Sequence, residues 1–230
     1  MKKLTTLLAV SGMILALASA AQAQVTTTPQ DTYRGPYRLG FYTTSTYPAV
    51  TNDITWYDAR ISDAAATVPE LVALSNLTWK CMGSTTNVDA RDNTGTNPTN
   101  PAHADVPIYN LNGVRITHGN AGLWEDPWTL DGPFTDELGV SATGLGDDGI
   151  KIFTGTLRDG TKSLVSGRAY LGWSVDAQTG IAGSKMDIDA AFGEFRWINT
   201  EANGQTDASR LLALSSVIEG GPIGTMVELK

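Results

Sequence analysis

The chain has 230 residues, a formal net charge of -8 and a single cysteine. No run of Lys and Arg is dense enough to neutralise phosphate or sulfate, which excludes nucleic acid, anionic lipid and sulfated glycans as electrostatically held partners. One cysteine also excludes an intramolecular disulfide, so a folded body of this size must be held by burial.

Residues 1–23 read as a secretory signal peptide. Lys2 and Lys3 precede an apolar run from Leu4 to Ala21, and Ala21-Gln22-Ala23 supplies the small-residue cleavage pattern. Thr5, Thr6, Ser11 and Gly12 interrupt the run, which falls short of the roughly 20 strongly apolar residues of a spanning helix. Cleavage before Gln24 removes Lys2 and Lys3 and leaves 14 Lys and Arg against 24 Asp and Glu, a net charge of -10. The expectation is an exported chain, periplasmic or secreted, with no membrane anchor after cleavage.

Residues 24–35 carry Thr, Gln and Pro with little apolar content and are expected to form a flexible leader. Residues 36–222 are long enough for one domain, and 223–230 form a C-terminal extension. Tyr37 to Thr44, aromatic and β-branched, predicts a first strand. Asn52 and Asp53 offer N-caps to an amphipathic helix whose stripe is Ile54, Tyr57, Ile61, Ala64 or Ala65, and Val68, stopped by Pro69. A helical turn through Glu70 to Leu74 follows.

Leu77 to Gly83 predicts a strand with Leu77, Trp79 and Cys81 on one side, and residues 87–101 predict a long loop. Val106 to Ile116 reads as two strands around the hairpin dipeptide Asn112-Gly113. Asn120 caps a short helix through Trp124 that Pro127 ends. Residues 132–149 read as loop, Ile150 to Thr156 as a strand and Arg158-Asp159-Gly160 as a turn. Tyr170 to Val175, Glu194 to Ile198 and Leu211 to Ile218 complete a set of short apolar segments. The pattern is α+β, with short strands and much ordered loop.

Several of these segments, in this order, resemble the endostatin-like branch of the C-type-lectin-like fold and its exported bacterial relatives. They are Thr78-Trp79-Lys80 with Ser84 and Asp89-Ala90-Arg91-Asp92; Val106-Pro107-Ile108-Tyr109-Asn110-Leu111-Asn112-Gly113; Trp124; and Phe153-Thr154-Gly155-Thr156 with Asp159-Gly160. Trp173, Trp197-Ile198-Asn199 and Leu211-Leu212-Ala213-Leu214-Ser215 continue the match. The resemblance spans residues 37 to about 222 and implies a single domain of short antiparallel strands, one or two helices near its N-terminus and long ordered loops.

The departures bear on function. Animal endostatin-like domains have two disulfides, basic heparin-binding patches and, in some, an N-terminal histidine zinc site. This chain has one Cys, an acidic balance and no histidine before His103. The Glu-Pro-Asn and Gln-Pro-Asp loops of sugar-binding C-type lectins are absent, and Trp124-Glu125-Asp126 lacks the amide of their Trp-Asn-Asp segment. The resemblance therefore implies a fold without naming a ligand.

Nucleophilic catalysis needs a Ser or Cys beside a base. His103 and His118 both lie in Gly-, Asn- and Pro-rich segments and read as solvated loop residues, while Cys81 reads as a small buried hydrophobe. Oxygen ligands for calcium are more plentiful: Asp89 and Asp92, Asp147 and Asp148, Asp187 and Asp189. Asp187 and Asp189, two apart on an extended segment, place both carboxylates on one side. Asp147, Asp148, Asp187 and Asp189 are the metal candidates, with calcium the one cofactor considered. Trp128, between Pro127 and a polar loop, is the tryptophan expected to be partly exposed and the ligand-binding candidate.

The functional expectation is an exported, non-catalytic binding or surface-interaction protein. It would use loops 86–105 and 119–149 toward an extracellular or envelope ligand, glycan or protein. The alternatives are a secreted carbohydrate-active hydrolase with an acidic pair and a structural envelope or matrix component.

Overall fold

The computed structural model describes residues 24–124, 134–141, 150–165, 168–173, 176–182, 188–189, 194–195, 201–204 and 206–220. Strand β1 (Arg38–Tyr42) is followed by β2 (Tyr47–Pro48), helix α1 (Ile54–Ala65), α2 (Pro69–Val72), β3 (Trp79–Cys81), α3 (Ala90–Asn93), β4 (Ile108–Asn110), β5 (Arg115–Thr117), α4 (Asn120–Trp124) and β6 (Thr135–Asp136). Then come β7 (Ile150–Phe153), β8 (Leu164–Val165), β9 (Arg168–Ala169), β10 (Asp176–Ala182), β11 (Ile188–Asp189), β12 (Glu194–Phe195), β13 (Glu201–Gly204) and β14 (Ala208–Ser215). The molecule is α+β: four short helices against a mostly sheet core, counted over the described residues.

The main sheet runs β5-β4-β1-β14-β7-β10-β9-β8. Its centre is the antiparallel pair of β1 with β14, in register at Phe41 and Ala213. The sheet is mixed, not purely antiparallel as expected: β1 runs parallel to β4 and β6, and β14 parallel to β7. A parallel neighbour needs a long crossover, and the connection from β1 to β4 supplies it by carrying α1, α2 and α3.

Period-2 alternation on β14 divides the interior in two. Leu211 and Ala213 join Leu39 and Phe41 in a core closed by the Tyr57, Ile61, Ala64, Ala65 and Val68 stripe of α1. Leu212 and Leu214 face the other way and pack with Tyr42, Met82, Ile108, Ile116, Trp124 and Phe134. Gly40 lies on that second face, where a β-carbon would approach the Phe134 ring to 2.7 Å. With Cys81 the only cysteine, these two apolar layers supply the cohesion.

The helical stripe folds as expected. Asp53 caps α1 by accepting the Thr55 N–H at 2.9 Å. The helix ends before Val68, whose position ahead of Pro69 disfavours helical backbone, and Pro69 opens α2. The Val106 to Ile116 hairpin also forms, its turn locked by the Asn110 amide oxygen accepting from the N–H groups of Asn112 and Val114. The expected loops are more structured than their composition implies. Residues 87–101 contain α3, and 132–149 contain β6 within the described stretch.

Residues 24–35, expected as a leader, lie against the domain as a strap. Thr26 N–H bonds Leu111 O at 2.7 Å and Gln30 N–H bonds Gly113 O at 2.9 Å. Val25 and Tyr33 pack on the core, and the Asp31 carboxylate accepts from Tyr109 Oη and Arg115 Nη1 at 3.0 and 3.2 Å. Low apolar content misleads here because backbone hydrogen bonds and one carboxylate supply most of the attachment. Of the short apolar segment Tyr170 to Val175, residues 170–173 are described and are irregular except for a bridge from Leu171 to Thr85. Gly172 takes a φ of +83° with its α-carbon against the Thr51–Asn52 backbone, where a β-carbon would come within 2.4 Å. That left-handed residue ends the strand pattern.

The interior tyrosines give the fold an alkaline limit. The Tyr42 phenol is pushed up to about 12 by burial and then by Asp136, with Arg210 opposing. Tyr109 also reaches about 12, through burial and its bond to Asp31. Burial raises Tyr37 and Tyr57 as well. In each case the folded state holds its proton after an unfolded tyrosine, with an ordinary value of 10.0, has lost it. This contribution is therefore complete below pH 10 and declines as pH rises toward 12, by up to about 1.4 kcal/mol per pH unit for each such group. Urea midpoints measured from pH 8 to 11.5 are expected to fall above pH 10, and Tyr109→Phe is expected to flatten that fall.

Candidate binding cleft

A polar concavity lies where α1, α3 and residues 157–162 meet. Asn93 in its lining is held by a charged residue in an apolar position. Asp58 falls on the inward side of α1, beside Tyr57 and Ile61, and is 7% exposed. Its carboxylate accepts from Lys80 Nζ at 2.7 Å, from the Cys81 N–H at 2.8 Å and from Asn93 Nδ2 at 2.9 Å. The Asn93 amide also donates to Cys81 O at 2.9 Å. The N–H and C=O of Cys81 point away from β14 and would be an unpaired strand edge. Two side chains satisfy them instead, which ties β3 to α1 and α3.

Buried hydroxyls organise the segment that follows β3. Ser84 Oγ accepts the Ala90 N–H at 2.8 Å and meets Thr156 Oγ1 at 2.9 Å. The Thr94 and Thr96 hydroxyls lie 2.7 Å apart, and Trp124 Nε1 donates to Thr96 at 2.8 Å. Residues 157–162 zip onto this segment. Lys162 N–H bonds Asp89 Oδ1 at 2.9 Å, Lys162 Nζ bonds Thr86 O at 2.8 Å, and Arg91 N–H bonds Gly160 O at 3.2 Å. Asn97 Nδ2 holds Asp92 Oδ1 at 2.7 Å. The result is an ordered stretch, 84–97, whose polar side chains are oriented before any ligand arrives.

The cleft has a volume of about 460 Å³ and is lined by Asn87, Asp89, Asp92, Asn93 and Lys162, with Ile54 and Val88 as its apolar part. A larger groove of about 600 Å³, lined in part by Asp58 and Lys80, lies between α1 and the α2–β3 connection. Its lining mixes small and apolar groups such as Ala59, Ala66, Leu71 and Leu77 with the polar Thr55, Ser62, Asn76 and Thr78. No protein-family model matches this chain, and no curated protein does.

Asp89 and Asp92 line the cleft, while Asp147, Asp148, Asp187 and Trp128 lie outside the described residues. Asp189 is the second residue of β11, opposite Glu194. Among the described residues no cluster of three or more His, Cys, Asp and Glu converges. His103 and His118 are exposed. Cys81 is fully buried, and burial followed by the neighbouring Asp58 pushes its thiol well up, so it stays protonated. Asp136 and Glu137, unremarked in the sequence, are buried and already bonded. Asp136 Oδ1 accepts from the N–H groups of Leu138 and Val140, and Glu137 accepts from the Thr44 N–H and hydroxyl. They hold the turn after β6.

The tryptophans sort by environment. Trp79 and Trp124 are buried, and Trp56 is half-buried under the Arg60 guanidinium, 4.3 Å from the ring centroid. Trp173 is 41% exposed. The apolar run around it gives no sign of this exposure.

Proposed function

We propose that this chain is an exported, non-catalytic binding protein with a C-type-lectin-like, endostatin-like fold, and that the ordered segment 84–97 presents the polar cleft to an extracellular or periplasmic ligand. The observation that carries this reading is the hydrogen-bonding beneath the cleft. Its carboxylates and amides are oriented by Lys162, Asn97, Asp58 and the buried hydroxyls beneath them, so little ordering cost remains for a ligand. Loop segments on a fixed base are the usual carriers of recognition. The α+β body, with α1 against the β1–β14 pair and long structured connections, is compatible with the fold that the sequence resembles. A non-catalytic role draws support from Cys81 being sealed as a thiol and from Asp136 and Glu137 being occupied by turn donors.

The test is capture of cell-envelope fractions by purified residues 24–230, with and without chelator, beside Asp89→Asn/Asp92→Asn, which keeps an acceptor oxygen at each position, with melting temperature as the check on folding. Capture weakened about tenfold or more in the variant is the expected result. Equal capture by the two proteins, or turnover of a glycan by the wild type, would overturn the proposal.

A further inference from the structure

The strap over the β4–β5 hairpin is held by polar contacts more than by burial. None of residues 24–36 is buried. The ion pair of Asp31 with Arg115 joins side chains that are 36% and 32% exposed, a class of contact worth little. Further attachments are the backbone bonds from Thr26 and Gln30 to Leu111 and Gly113, the bond from Tyr37 Oη to Thr27 O at 2.8 Å and the Tyr109 hydroxyl on Asp31. Two cavities lie along the strap, one of about 330 Å³ bordered by Pro29 and Tyr33 and one of about 360 Å³ bordered by Gln30 and Val114. A segment with so little buried apolar contact opens at a small part of the global unfolding free energy.

What opening uncovers is specific. Tyr109 and Leu111 are fully buried in the closed form, and the carbonyls of Leu111 and Gly113 lose their donors when the strap leaves. The hairpin then presents two acceptors, a phenol and a guanidinium. Their match is an extended segment with N–H groups four residues apart and a carboxylate at the next position, which Thr26, Gln30 and Asp31 supply. The joint to the body is short and crowded. At Gly35 a β-carbon would lie 2.5 Å from Tyr33 Oη, Pro36 follows, and Tyr37 is fixed to Ile218 by backbone bonds of 3.0 and 2.8 Å. A tight hinge beside a detachable segment favours exchange of identical elements between molecules.

We infer that the strap is an exchangeable element whose partner is a second copy of this chain: residues 24–34 of each molecule seat on the β4–β5 hairpin of the other in a two-fold dimer. The exchanged dimer contains the same strap contacts as the closed monomer. Weakening those contacts therefore speeds exchange, which passes through the opened state, and leaves the balance of monomer and dimer nearly unchanged. The hinge and the loss of translational freedom on association set that balance, so the dimer fraction rises with protein concentration.

The experiment uses two single variants of residues 24–230, Gln30→Cys and Val114→Cys, whose positions border one cavity on the strap and the hairpin. They are mixed at high concentration, oxidised and separated on non-reducing gels, with mass spectrometry of the linked peptides; Cys81 is buried and stays out of the reaction. The expected result is a disulfide between the Gln30→Cys and Val114→Cys copies, at least tenfold more abundant than the dimers either variant forms with itself. With Asp31→Ala added to both, the link should form tenfold or more faster while its final yield stays within about threefold. Asp31→Asn repeats the comparison if Asp31→Ala lowers the melting temperature. In the unaltered protein, light scattering should show a dimer that an excess of a synthetic peptide of residues 24–34 converts to monomer. No mixed link, a mixed link no more abundant than the self-links, a yield that falls with Asp31→Ala at an unchanged rate, or a dimer indifferent to the peptide would overturn the inference.

Discussion

Asp58→Ala is expected to destabilise the protein by about 3–5 kcal/mol, the range for stripping one partner from a buried charged hydrogen-bond network. Three donors converge on that carboxylate, and they do not contribute equally. Lys80 has a side chain 41% exposed and can turn its ammonium to water, so the ion pair itself is worth no more than about 1 kcal/mol. The Cys81 N–H has no such escape. It sits on a fully buried strand edge, and a buried amide left without an acceptor costs about 1–3 kcal/mol. Asn93 loses one of its two acceptors and with it part of its hold on α3. For a domain of this size the melting temperature should fall by roughly 10 °C.

Lys80→Ala is the control that separates these contributions, with an expected loss below about 1 kcal/mol. Urea unfolding of both variants decides the matter. Equal losses would mean that the ion pair, not the capped strand edge, gives Asp58 its importance. Native-state hydrogen exchange at the Cys81 amide should accelerate in Asp58→Ala and hardly change in Lys80→Ala.

Features governed by near neighbours in the chain were legible in the sequence. The α1 stripe, its Asp53 cap, its end at Pro69 and the Asn112-Gly113 hairpin all depend on residues within a turn or two of one another. The same stripe carries a readable clue, for Asp58 is a charged residue on the face of Tyr57 and Ile61, where only a bonded carboxylate belongs. The strap was not legible, because Asp31 finds Tyr109 and Arg115 at separations of 78 and 84 residues and nothing local records that. Strands β10 and β13 were hidden by polar, Gly-containing sequences, since pairing with each other and with β7 overrides weak strand propensity. The left-handed Gly172 and the exposed indole of Trp173 are not disclosed by an apolar Tyr-Leu-Gly-Trp run.

Arg38 gives the second large effect, by a different route. It is 5% exposed, and among the described residues no carboxylate pairs with it. Its guanidinium donates instead to three backbone carbonyls, from Nη1 to Thr94 O at 3.1 Å and Ser215 O at 2.8 Å, and from Nη2 to Gly95 O at 3.3 Å. One planar fork therefore joins the first strand, the last strand and the end of α3. The cation pays for desolvation, seen in the lowering of its pKa by burial, so the two sides of the balance oppose each other. Arg38→Ala removes three donors and the packing of the stem, and is expected to cost about 4 kcal/mol. Arg38→Met keeps most of the stem and removes the buried charge, so only the orphaned carbonyls remain and the loss should be about half as large. Arg38→Lys offers a point charge that cannot span three carbonyls and should fall near Met. Denaturant midpoints for the three variants order these contributions. A Met variant as stable as the wild type would show that the carbonyl bonds only balance desolvation, and the clasp on 94–95 would then have to reside in the Trp124–Thr96 bond on the far side of the same segment.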